Sequence, residues 1–274
     1  MNKAPRHFGL PRRLHAPLLA LLVATGCAGP TAPVAAAERA TAEKASPRWH
    51  AVLVAGDPSL EVWDRAVERM GARLLAGGRV ATMRSFSARR DRVAAGAEPA
   101  LRADVLGAIA GLRPAAGEAC LVFLTMHGAP QRGLALAAEN SFINPANLDA
   151  ALSQGCGQAP TFVIASGCFT GNFAQGAMAR PNRVVLTAAR ADRSSFGCSP
   201  QFELTVYDRC LLDALDAGQP SAAALAKASQ VCVAVEERRQ RMSPPSEPQS
   251  AIGAAVRGLV PRWAGALTPQ PAEQ

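Results

Sequence analysis

The sequence predicts an α/β domain with a mostly parallel central sheet covered by helices on both faces. Four short apolar runs carry the prediction: His50–Ala55 (HAVLVA), Cys120–Met126 (CLVFLTM), Thr161–Ala165 (TFVIA) and Val184–Thr187 (VVLT). They are continuous and do not alternate, as strands buried on both faces are. Segments with apolar residues at helical spacing separate them, which is the order of a parallel sheet with crossover helices. The 274 residues are 49% hydrophobic and 18% charged, so the chain can bury a substantial core and is no disordered polyelectrolyte.

The elements follow in order. The first strand ends at Gly56-Asp57-Pro58, and Trp63, Val67, Met70 and Leu74 then recur at helical spacing; Asp57-Pro58 has the residue types of a helix N-cap and first turn. Residues 80–86 form a second strand. Leu101, Val105, Ile109 and Leu112 mark a helix closed by Gly111 and Pro114. A helical piece at Pro145–Gln154 separates the CLVFLTM and TFVIA strands, helices are expected near 203–217 and 221–240, and a Pro/Ser loop at Ser243–Ser250 leads to a last strand at 251–256. No internal repeat or linker interrupts 49–262, which reads as one domain followed by a tail at 263–274.

The N-terminus reads as a targeting segment. Four basic residues (Lys3, Arg6, Arg12, Arg13) precede the apolar run PLLALLVA at 17–24, and Ala24-Thr25-Gly26 leads to Cys27. The run is far shorter than the roughly 20 residues of a spanning helix, so 1–26 is expected to be a signal peptide. The small residues before Cys27 resemble a lipobox, which implies cleavage at Cys27 and its lipidation; an ordinary signal cut near Ala28 is the alternative. Residues 27–48, rich in Ala, Pro and Thr, suit a disordered tether. The expected location is the periplasm, with a lipid anchor in the outer membrane. The basic excess is spread along the chain without a Lys/Arg run, so no nucleic-acid partner is expected. Among the cysteines, the spacing suggests Cys120 with Cys156 and Cys210 with Cys232, leaving Cys198 free; the alternative is that all are small buried apolar residues.

In an open parallel sheet, ligands collect at the carboxyl ends of the strands. Those ends here are Gly56-Asp57, His127-Gly128, Ser166-Gly167-Cys168 and the segment Ala188–Cys198. Of four histidines, His7 and His15 lie in the leader and His50 starts a strand at the opposite edge, so His127 is the imidazole at this one. A Cys becomes a nucleophile when a base or positive charge generates its thiolate, and Cys168 beside His127 supplies the minimal pair. The N–H groups of Gly128 and Cys168 could receive a developing oxyanion, and Gly171 allows a helix to begin close behind. Alone, a strand-end His or a buried Cys is more often structural; the combination favours chemistry. No G-x-S-x-G elbow, P-loop, H-E-x-x-H or C-x-x-C is present, and no metal or organic cofactor is implied.

At these residues the chain resembles the legumain-like cysteine peptidases, over roughly 49–257. The resemblance rests on LTMHG (124–128), IASGCFTG (164–171), the opening AVLVAGD (51–57) and LTAARADRSSFGC (186–198), which is similar to the segment lining the primary specificity pocket. It implies a caspase-like three-layer α/β/α fold and a cysteine endopeptidase acting on peptide or protein substrates. It further implies Cys168 as nucleophile, His127 as general base and acid, Asp57 in an orienting role, and Ser166, Asp192, Ser194 and Ser195 at the substrate pocket, with Asp208 a further source of negative charge. The family's acidic residue two positions before the nucleophile is Ser166 here. Competing readings are a catalytically silent caspase-fold envelope lipoprotein that binds a peptide or protein, and a transpeptidase using the same dyad.

Overall fold

The computed structural model describes residues 46–262. The expected leader at 1–26, the lipidated Cys27, the tether up to residue 45 and the tail at 263–274 lie outside the described residues. The strands are β1 (Arg48–Ala55), β2 (Val80–Ser87), β3 (Glu98–Pro99), β4 (Glu118–Thr125), β5 (Gly128–Ala129), β6 (Gly133–Leu136), β7 (Ser141–Ile143), β8 (Thr161–Ser166), β9 (Arg183–Thr187) and β10 (Gln249–Ile252). The helices are α1 (Val62–Ala76), α2 (Arg90–Ala94), α3 (Arg102–Ala110), α4 (Pro145–Gly155), α5 (Val206–Asp216) and α6 (Ala222–Arg239).

Seven strands form the main sheet in the order β10-β9-β8-β4-β1-β2-β3. All neighbours are parallel except β10, which runs antiparallel to β9. Successive residues of β1 feed opposite faces: Ala51, Leu53 and Ala55 join one core with α1, α5 and α6, while Val52 and Val54 join the other with α3 and α4. This double burial is why the strands read as unbroken apolar runs. The core side chains Phe123, Phe162 and Leu121 are fully buried, each contributing about 1.5–3 kcal/mol of apolar transfer free energy.

Local chemistry sets the helix starts. Asn144 accepts the Asn147 N–H with Pro145 at the first helical position of α4, Thr205 caps α5 through the Asp208 N–H, and Ser221 caps α6 through the Ala224 N–H. The cap expected from Asp57 is not formed: its carboxylate takes the Ser59 N–H at 2.8 Å, and α1 begins only at Val62 after Glu61. That acceptor closes a turn and is spent before the helix begins. The helix expected from 203 starts at Val206, and the last strand ends at Ile252, because Gly253 and Ala255 donate to the carbonyls of Arg183 and Pro181 and turn the chain into a 3₁₀ helix. Also absent from the sequence reading are α2, β3 and a second sheet of order β5-β6-β7, whose strands are only two to four residues long.

Both expected disulfides are present. Cys120–Cys156 joins the start of β4 to the end of α4, and Cys210–Cys232 joins α5 to α6; Cys168 and Cys198 are free. Closing loops with sequence separations of 36 and 22 removes denatured-state entropy worth about 3–4 kcal/mol each in the chain-entropy account. Cys120→Ala with Cys156→Ala should therefore lower the unfolding free energy by an amount of that order at unchanged fold, checked by urea titration with circular dichroism.

Candidate active site

The pairing of β4 with β8 places Thr125 opposite Ser166, and the Met126 N–H reaches the Ser166 carbonyl at 3.1 Å. His127 and Cys168 each follow two residues beyond that pair. They therefore leave the same sheet edge on adjacent chains. Beyond them the chains touch backbone to backbone. A Cβ on Gly128 would fall 1.9 Å from the Cys168 carbonyl oxygen, and one on Gly167 would fall 2.6 Å from the Met126 carbonyl oxygen. Only glycine admits this approach. The Ala135 N–H donates to the His127 carbonyl at 2.8 Å, so the small β5-β6-β7 sheet fixes the backbone of the histidine from its far side.

Cys168 sits on a constrained turn. Phe169, the next residue, has φ 61° and ψ 24° in the left-handed region, a conformation costing about 1–3 kcal/mol in a non-glycine residue. The surroundings hold it: the Phe169 N–H donates to the Arg193 carbonyl at 2.8 Å, and Thr170 Oγ1 to the Gly167 carbonyl at 2.9 Å. The half-buried thiol faces the 188–198 segment. Its Sγ accepts the Ser195 N–H at 3.3 Å and lies 3.6 Å from Ser195 Oγ. The same Sγ lies 3.7 Å from the Ser195 carbonyl oxygen, so one residue of the 188–198 segment lines the thiol through its N–H, its carbonyl and its hydroxyl.

His127 is exposed, with its ring set edge-on against Trp63, centroids 4.8 Å apart at 70°. Trp63 is fully buried in α1 and was legible in the sequence only as a core position. It shields one side of the imidazole. Asp57 is buried at the end of β1, and its hydrogen bond runs to Ser59; none joins it to His127 among the described residues. The orienting hydrogen bond expected of Asp57 is therefore not made: its Oδ1 closes the turn onto the Ser59 N–H instead.

The predicted pocket residues separate by environment. Ser195 is half-buried against Cys168, whereas Ser194 is exposed. Asp192 is exposed and gripped by the Arg190 fork at 2.5 and 2.9 Å, which holds its carboxyl down at about 2. Its charge is thus matched by Arg190 at the surface and gives the pocket no free carboxylate. Ser166 is buried, and its hydroxyl hydrogen-bonds Asp208, a residue of the first turn of α5. Asp208 is fully buried and also accepts from Thr125 Oγ1 at 2.6 Å. A single carboxyl thus ties the ends of β4 and β8 together from beneath. Burial raises its pKa, against the hydrogen bonds of Ser166, Thr125 and Thr205. Cys198 is half-buried nearby, and desolvation, then the charges of Cys168, Asp208 and Asp57, push its thiol up to about 12.

The segment that carries this geometry has relatives. Residues 107–228 match the Peptidase C13 family, which is the legumain family. The resemblance to the legumain-like peptidases holds. The Peptidase C13 match contains His127, Gly128, Cys168 and the whole 186–198 segment. Among solved structures, caspase-1 from Spodoptera frugiperda is similar with a TM-score of 0.54 at 12% identity, over 80% of this chain and 91% of that one. The structure described as pro-sf-caspase-1 is similar with a TM-score of 0.54 at 12% identity, over 78% of this chain and 94% of that one. These likenesses establish the caspase fold. No curated protein matches this chain.

Two outcomes test the geometry. Gly128→Ala must move the Cys168 backbone and should cost about 1–3 kcal/mol in denaturant unfolding, as overpacking does. The raised pKa of Asp208 means that the folded state holds this proton to higher pH than the unfolded chain does. Its stabilising contribution is fully present below the unfolded carboxyl value and is lost as pH rises through the folded one. Asp208→Asn should therefore flatten the decline of Tm with pH above about 4, measured by melts of both proteins across that range.

Proposed function

We propose that this protein is a cysteine endopeptidase that cleaves peptide bonds through an acyl-enzyme on Cys168. The observation that supports it most is the equal register of His127 and Cys168 beyond the Thr125–Ser166 pair, with Gly128 against the Cys168 backbone. Kinship with a peptidase family and the caspase fold favour the same chemistry. His127 takes the thiol proton, and Sγ attacks the scissile carbonyl. The N–H groups of Gly128 and Cys168 receive the oxyanion. His127 then protonates the departing amine, and a water activated by the same imidazole hydrolyses the thioester. Ser195, with Ser194 at the rim, forms the wall for the residue before the cut, while Ser166, buried on Asp208, supports it from beneath. The chain acts in the periplasm, tethered to the outer membrane by a lipid on Cys27, and its partners are peptide or protein substrates.

The experiment uses protein from residue 28 onward under mild reduction, with fluorogenic and acyloxymethyl-ketone peptides carrying Asn, Asp, Arg or Lys before the cut. Cys168→Ala should abolish labelling and lower turnover by roughly 10³-fold or more, and His127→Ala by about 10²–10⁴-fold. Cys198, whose thiol is pushed up to about 12, stays unlabelled near neutral pH. Silence from a folded wild-type protein, with Cys168 unlabelled, overturns the peptidase reading in favour of a peptide-binding lipoprotein. Products joined to an added amine assign transpeptidation. Loss of metabolic lipid labelling in full-length Cys27→Ser tests the anchor.

A further inference from the structure

The chain segment that faces Cys168 is held from an unexpected direction. Gly171 lies against it so closely that a Cβ there would fall 2.4 Å from the Ala191 nitrogen. The Arg193 carbonyl receives the Phe169 N–H, and the Arg193 N–H closes a turn on the Arg190 carbonyl at 3.1 Å. Whatever fixes Arg190 therefore fixes the acceptor that keeps Phe169 in its left-handed conformation beside Cys168.

Arg190 is fixed at both backbone and side chain. Its N–H donates to the Ser246 carbonyl at 2.8 Å; its guanidinium spans Asp192 and, through Nη1 at 2.5 Å, Glu247. Ser246 belongs to the loop between α6 and β10. Glu237 of α6, only 3% exposed, holds that serine: its two carboxylate oxygens accept the Ser246 N–H at 3.2 Å each, and Oε1 also accepts from Ser246 Oγ. A buried carboxylate is costly unless hydrogen-bonded, and the described hydrogen bonds of this side chain all go to one serine of the loop. The result is a strap running from Glu237 through Ser246 and Arg190 to the Cys168 turn.

Resting on the peptidase reading above, we propose that Arg190 is a positioning residue for the Cys168 turn and the Ser195 wall, anchored on α6 through Ser246 and Glu237. The Arg190 side chain is 38% exposed and Asp192 60%, so these ion pairs contribute little to global stability. Their effect is local. A planar fork is required, since one guanidinium engages two carboxylates at once.

The test measures alkylation of Cys168 by iodoacetamide in the full chain, read by mass spectrometry against a cysteine-free peptide of the same digest, together with kcat and KM on the best cleaved peptide. Arg190→Ala should slow Cys168 alkylation and kcat by about 10- to 100-fold, the scale of a displaced catalytic group, while Tm moves by less than about 2 °C. Arg190→Lys keeps the charge without the fork and should recover only part of the rate. Arg84→Ala, which removes another exposed Arg–Glu pair far along the sheet, should leave the rate unchanged. Unchanged alkylation in Arg190→Ala overturns the proposal, as does full recovery in Arg190→Lys, which would assign the effect to charge alone. A loss matching the unfolded fraction also overturns it. If no peptide is cleaved by the wild type, the peptidase reading fails by itself, and the alkylation rates still decide the role of Arg190.

Discussion

The site depends on a close approach between two backbones. β4 and β8 run parallel and in register, so whatever follows them leaves at one edge, and the contact of Gly128 with the Cys168 carbonyl sets how near the two chains come. A side chain at either Gly128 or Gly167 would wedge the strand ends apart. The rest of the local structure serves that contact. The small β5-β6-β7 sheet secures the His127 carbonyl, Trp63 shields the imidazole, and the Arg193 carbonyl holds the left-handed Phe169. Each comes from a different element, which is why a compact two-layer core is needed to build a site of so few residues.

Electrostatics is divided by depth. At the surface, Asp192, Arg190, Arg193 and Glu247 pair with one another and cancel. Beneath the strand ends, Asp208 sits with hydroxyl partners and no cation, a setting in which burial favours the protonated carboxyl. The Ser166 position thus keeps a carboxyl behind it, although the acidic residue of the family pattern is absent from the strand itself. The two free thiols also sit in different surroundings. Cys198 is held as a thiol by burial, while Cys168 receives an N–H from Ser195.

Much of this was legible in the sequence because the signals were physical and local. Strands buried on both faces read as unbroken apolar runs, and both cysteine pairs follow from residues brought together by neighbouring elements. His127 and Cys168 stood out because a parallel sheet sends its strand ends to one edge. What was not legible depends on tertiary choice. Asp57 could cap a helix, orient an imidazole or close a turn, and only the position of α1 decides that it closes a turn. Strands of two to four residues in β5-β6-β7 carry too few positions for a period. Trp63 satisfied the helix core pattern, which concealed its contact with His127. Glu237 lies on the charged end of a helix, and nothing in its spacing marks it as buried beneath a loop.

The openness of the site has a mechanistic consequence. His127 is exposed, so in the free protein water competes for the imidazole and screens its influence on Cys168. On the peptidase reading proposed above, an extended peptide laid across the edge would cover His127, displace that water and bring its carbonyl toward the Gly128 and Cys168 N–H groups. Binding and activation are then one event. Contacts far from the scissile bond would then contribute to rate by excluding solvent from the dyad. On that reading, the residues around the strand ends, and not the dyad alone, determine which peptides are cut.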